Sequence, residues 1–182
     1  MHSRTSFYPE YDLAKTILSS RKTHRTGISH FVHVEEGLII LDNLTDDADT
    51  KGSFCLHPLI QKTSDFIDNY ICLKDCSPIS VALAVEYRWI ANQGTRYYLE
   101  TNPGAKIILS EFLEINHMLI ADKIQNRKDF LATFNRNDSE FDALDQYFKN
   151  WMEALKISEP EYGIHVELID KRTIRNSHRR RG

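Results

Sequence analysis

Histidines recur at His24, His30, His33, His57 and His117. His33 shares a helical stripe with Gly37, Ile40 and Leu44, so its ring is expected to face inward. His57 sits inside the apolar run FCLHPLIQ, and Asp122 interrupts an apolar helix face that carries Ile115, Leu119 and Asn126. An unpaired carboxylate on such a face would be expensive. Two inward histidines and one inward aspartate, each from its own helix, make a donor set for one divalent metal ion. The same three side chains also fit a buried cluster in which histidine donates to the aspartate and no ion is present. His30 and His117 are alternative ligands.

Other groups suit an anionic ligand. Arg88 and Asn92 stand at i,i+4 in EYRWIAN and share a face that meets a phosphate, unless Arg88 pairs with a nearby carboxylate. Arg21, Lys22 and Arg25 form a small basic cluster that is either solvated or greets an anionic nucleotide. Tyr97 and Tyr98 pack down or stack on a base. The chain has no Walker loop, GxGxxG, GxSxG or HExxH, so those chemistries are not supported.

Helices must position these residues. Glycine and proline are sparse, and apolar residues recur at helical spacing in most of the chain. Helices are expected over about residues 10–20, over SHFVHVEEGLIILDNL, over GSFCLHPLIQ, over TSDFIDNYI and over ISVALAVEYRWIAN. Residues 93–106 read as a loop. A long helix follows from Ser110, whose hydroxyl caps it, and another covers DSEFDALDQYFKNWMEALKI. Ser139 and Asp142 resemble a capping box there, with Phe141, Leu144, Phe148, Trp151 and Leu155 as the buried face. After Pro160, Ile164, Val166 and Leu168 alternate as in a strand. The expected fold is all-α: a helical domain over 1–160, then an extended segment and basic tail over 161–182.

At 182 residues, with 41% hydrophobic and 27% charged, the chain is sized for one domain with a real core. No apolar run approaches the roughly 20 residues of a membrane helix, and the N-terminus lacks a signal-peptide apolar region. Three cysteines without paired spacing indicate neither a zinc ribbon nor a disulfide framework. A cytoplasmic protein is expected. The net charge of −3 conceals an asymmetry: residues 171–182 hold six cations and no acid, while the preceding 170 residues hold 17 basic against 26 acidic groups. The basic tail is a solvated terminus or an arm for an acidic surface. A protein partner or a second copy is favoured over nucleic acid, which the acidic body would repel.

A resemblance joins the chemical residues. TGISHFVHVEEGLIIL resembles the RxSGxPYxxHPxxVAxIL opening of the HD-domain hydrolases of the (p)ppGpp synthetase/hydrolase family. FCLHPLIQKT stands where that family has ALLHDxxEDT, and LIADKIQNRKDF is similar to LADRLHNMRxL, in the same order and approximate spacing over residues 21–134. The resemblance implies an HD-like helical bundle and a single Mn²⁺-like ion that generates hydroxide against a 3′-pyrophosphate. It matches His33, His57 and Asp122 to metal ligands and Asn126 to the asparagine after the distant aspartate. With Arg25 and Arg88, Asn126 is a candidate for binding a nucleotide. Three departures fall together: the HD aspartate is Pro58, and the glutamate–aspartate pair is Gln61–Lys62. The arginine of the opening is also absent, with His24 in its place. Losing these acids removes negative charge that would hold the ion and accept a proton. The expectation is therefore a nucleotide phosphohydrolase relative with weak or absent classical activity and an ion that is optional. The alternative is a non-catalytic component of a larger assembly.

Overall fold

The computed structural model describes residues 6–22, 27–102, 104–135 and 140–179, with side chains for all of these but Thr63 and residues 173–179. The described residues form α1 (Tyr8–Leu18), α2 (His30–Leu41), α3 (Ala48–Ile60), α4 (Thr63–Asn69), α5 (Pro78–Gln93), α6 (Arg96–Thr101), α7 (Leu113–Thr133), α8 (Phe141–Ala154) and α9 (Glu159–Arg179). A 3₁₀ turn covers Tyr70–Asp75, and no strand occurs among the described residues. The all-α expectation holds.

Side-chain caps set several helix starts. Ser29 Oγ accepts from the Phe31 amide at 3.1 Å, and Asp47 accepts from the Thr50 amide at 2.7 Å. Ser77 and Thr95 cap α5 and α6 in the same way. Helix α3 is the hub of the packing, lying against α1, α2, α5 and α7, while α9 lies across α2 and α7. Val34, Ile40, Phe54, Leu56, Ile115, Leu119 and Trp151 are among its fully buried core residues. At Gly37 a Cβ would overlap the Phe54 ring. The missing side chain lets α2 close on α3, and that contact brings His33 and His57, each one turn away, toward each other.

Three expectations change. Residues 161–170 are not extended: they belong to α9, where Tyr162, Val166 and Ile169 follow i, i+4, i+7 and Ile169 is fully buried. Pro160 misleads because it opens this helix instead of ending one. Ser158 Oγ accepts from the Glu161 amide at 3.4 Å while Glu161 Oε2 accepts from the Ser158 amide at 2.8 Å. That is a capping box with proline in the first turn, where a missing N–H costs nothing. Residues 96–101 of the expected loop are helical. Helix α7 begins at Leu113, and Ser110 is instead clasped by Asn116, which accepts from its amide at 3.0 Å and donates to its carbonyl at 2.8 Å. Ser139, His24 and Arg25 lie outside the described residues.

Candidate metal centre

His33 from α2, His57 from α3 and Asp122 from α7 converge. His33 Nε2 lies 3.2 Å from His57 Nε2 and 3.3 Å from Asp122 Oδ1, and His57 Nε2 lies 3.7 Å from the same oxygen. Ligand atoms about 2.0–2.2 Å from one ion stand about 3.0–3.6 Å apart, so this triangle has the size of a ligand face and can hold a metal ion. His57 and Asp122 are 3% and 5% exposed, which makes the meeting of three polar atoms deliberate in energetic terms.

The outer partners decide which atoms face inward. His57 Nδ1 donates to the Phe54 carbonyl at 2.6 Å. In an unbroken helix that carbonyl would accept from the amide of residue 58, but Pro58 has none. His33 Nδ1 meets Gln125 Oε1, and Gln125 Nε2 donates to Glu36 Oε2 and to Asp129 Oδ2, both at 3.0 Å. Lys128 Nζ completes this chain at 2.9 Å and 3.1 Å from the two Glu36 oxygens. Asp122 is equally well held. Asn126 donates to its Oδ1 at 2.8 Å, Lys123 Nζ lies 2.8 Å from Oδ2, and the Tyr87 hydroxyl also bonds to it. Lys123 in turn sits 4.7 Å over the Trp151 ring.

Electrostatics follow this wiring. Burial, reinforced by the charge of His33, drives the His57 pKa down to about 3, so His57 is neutral. Burial pulls His33 the same way, but the bond and charge of Asp122 and the bond to Gln125 lift it above its ordinary value. Asp122 is held well below the usual carboxylate range: burial opposes ionisation, and the Lys123 charge with the His33 bond overcomes it. Without an ion, the proton that relieves the triangle belongs to His33.

The triangle opens into a pocket of about 360 Å³. His30, Gln61, Thr95, Lys123, Asn126 and Asp129 supply its polar wall; Pro58, Ala91, Tyr147 and Phe148 supply the rest. Arg88 is not among the lining residues: its Nε donates to the Gln61 carbonyl at 3.0 Å, at the end of α3. Arg21 faces Asp65 at 3.9 Å, Tyr97 and Tyr98 are exposed on α6, and His117 stands apart from the ligand group. Sequence reasoning missed Lys123, Gln125, Asp129, Tyr87 and Tyr147. Only Asp129 left a signal, at i+7 from Asp122 and i+3 from Asn126.

Comparison with family models, curated proteins and solved structures finds no match to this chain in any of the three.

Proposed function

We propose that the chain is an HD-like helical domain that binds one divalent, Mn²⁺-like ion at His33, His57 and Asp122 and hydrolyses a phosphate ester of nucleotide type. The observation that carries this reading is the triangle itself: two imidazole nitrogens and a carboxylate oxygen, from three separate helices, meet within 4.8 Å of one another. Such an arrangement attracts a cation. When bound, the ion supplies Lewis acidity and makes coordinated water more acidic. Lys123 meets Oδ2 of Asp122, and Oδ1 is the oxygen that faces both imidazoles. Lys123, Asn126 and Thr95 present donors to an anionic group, and Pro58, Ala91 and Phe148 supply apolar wall beside them.

The α3 wall offers Pro58 and Gln61 where the resembled family has acids, and Lys62 is exposed. Mn²⁺-dependent hydrolysis of (p)ppGpp is therefore expected to be negligible. Metal analysis of the purified chain, titration with Mn²⁺, Co²⁺ and Zn²⁺, and a screen of nucleotide phosphates test the proposal. Stoichiometric metal with turnover lost in His57→Ala supports it. Absence of binding for all three ions overturns it.

A second reading has its own observation. Lys123 neutralises much of Asp122, and Pro58 removes a fourth ligand, so the scaffold serves binding instead of catalysis. In that case the basic tail, reached through α9, engages a protein partner or a second copy of the chain. Deleting residues 171–182 would then weaken assembly while removing no helix other than the last turns of α9. Steeply salt-dependent binding of nucleic acid through the tail would redirect this reading.

A further inference from the structure

We propose that Gln125 and Pro58 are positioning residues that hold both imidazoles of the site in the Nδ1–H tautomer. The inference rests on the metal reading above for its affinity readout but not for its tautomer readout. A carboxamide has one acceptor and two N–H donors, and its orientation is set by what surrounds it. Around Gln125 both donor positions face carboxylates, Glu36 and Asp129. Lys128 donates to both oxygens of Glu36. Turning the amide over would set its oxygen against two carboxylates. Oε1 therefore faces His33, and the His33 nitrogen beside it must carry the hydrogen.

His57 is fixed by a different device with the same outcome. Proline at position 58 leaves the Phe54 carbonyl without its helical donor, and a buried carbonyl needs one. The His57 ring supplies it from one turn away. Pro58 is thus more than a ligand lost from the family pattern: it creates the acceptor that aims the adjacent histidine. The two devices come from separate helices, yet each turns Nε2, bare in the neutral ring, to the same side, next to Asp122 Oδ1. Partners one shell out from a metal fix ring orientation and tautomer, and their loss costs about 10–100-fold in affinity.

Nitrogen-15 NMR of the full chain without metal, at alkaline pH where both rings are neutral, reads the tautomers directly. Both His33 and His57 are expected to carry hydrogen on Nδ1. Gln125→Leu should shift His33 toward Nε2–H, now donating to Asp122, and weaken Mn²⁺ binding by about 10–100-fold while leaving His57 unchanged. Pro58→Ala should do the reverse, restoring a backbone donor to Phe54 and releasing His57 alone. Gln125→Glu retains an acceptor for His33 and should keep its tautomer even as stability falls, which separates positioning from folding. If Gln125→Leu does not fold, the His57 signal in Pro58→Ala decides. A wild-type chain with Nδ1–H on both rings but no metal affinity supports this inference and defeats the metal reading. Nε2–H on either ring of the wild type, or variants with unchanged tautomers, overturns the inference.

Discussion

Two buried polar clusters sit at opposite ends of α3, and they solve the same problem in opposite ways. Near its start, Asp49 joins Glu10 of α1 and Ser77 and Ser80 of α5. The Ser77 amide donates to Glu10 at 2.7 Å, its hydroxyl to Asp49 at 2.6 Å, and Ser80 Oγ to the same carboxylate oxygen at 3.1 Å. Donor meets acceptor throughout, and both carboxylates lie at the N-terminus of α5, where the helix dipole favours them. Near its end, His57 joins His33 and Asp122, and there two ring nitrogens and a carboxylate oxygen share the one proton that His33 carries. Each cluster draws its side chains from three parts of the chain and lies largely buried. What differs is the balance of hydrogens, and that balance separates a structural clasp from a group that can hold a cation.

The sharpest way to break this comparison is to remove a ligand. Asp122→Asn should weaken Mn²⁺ binding by more than the roughly 10–100-fold of an outer-partner loss, since a charged ligand disappears. Calorimetric titration checks it. Retained affinity would mean that the triangle is no metal face. The matching change at the other end, Ser77→Ala, removes the cap of α5 and a donor to Asp49 together. It should cost about 2 kcal/mol in denaturant unfolding and leave metal affinity untouched.

Acid sharpens the contrast further. His57 has its pKa depressed to about 3 in the folded chain against an ordinary 6.5, so between these values the unfolded chain binds the extra proton. Stability contributed by neutral His57 is present above pH 6.5 and is lost as pH falls toward 3. Urea midpoints across that window should decline, and His57→Phe should flatten the decline. An unchanged slope would show that His57 is not the group being protonated. His33 works in the opposite sense: its raised pKa stabilises the metal-free fold at low pH and ceases to do so as pH rises through it.

The legible part of this molecule was the part written in periodicity. Val34, Leu38 and Leu41 on α2 and the stripe Ile115, Leu119, Asp122 on α7 announced both the helices and their inward polar residues, and all six are buried. The convergence of His33, His57 and Asp122 followed, because three inward residues on helices that pack together have little else to meet. The clasping of the triangle was not legible. Gln125 reads as an ordinary polar residue, and its role depends on Glu36, 89 positions away in sequence. Tyr87 reaches Asp122 from α5 with no pattern to mark it. Helix α9 was hidden by one proline, whose local meaning reverses between the first turn of a helix and its interior.

That same helix offers the gentlest test. Helix α9 lies on α2 and α7, which carry His33 and Asp122, while the Glu10–Asp49 clasp belongs to α1, α3 and α5. Its grip on α7 runs through Arg127, whose Nη2 lies 2.8 Å from Glu159 and whose guanidinium stacks 4.4 Å from the Tyr162 ring. Ser158→Ala removes the cap that starts α9 and should cost about 1 kcal/mol. The loss should be local before it is global. Amide exchange is expected to quicken in α9 first and in the facing turns of α2 and α7 next, with α5 near Ser77 unchanged. Uniform acceleration across all helices would mean that the two ends of α3 open as one unit, and that the clasp and the site are coupled after all.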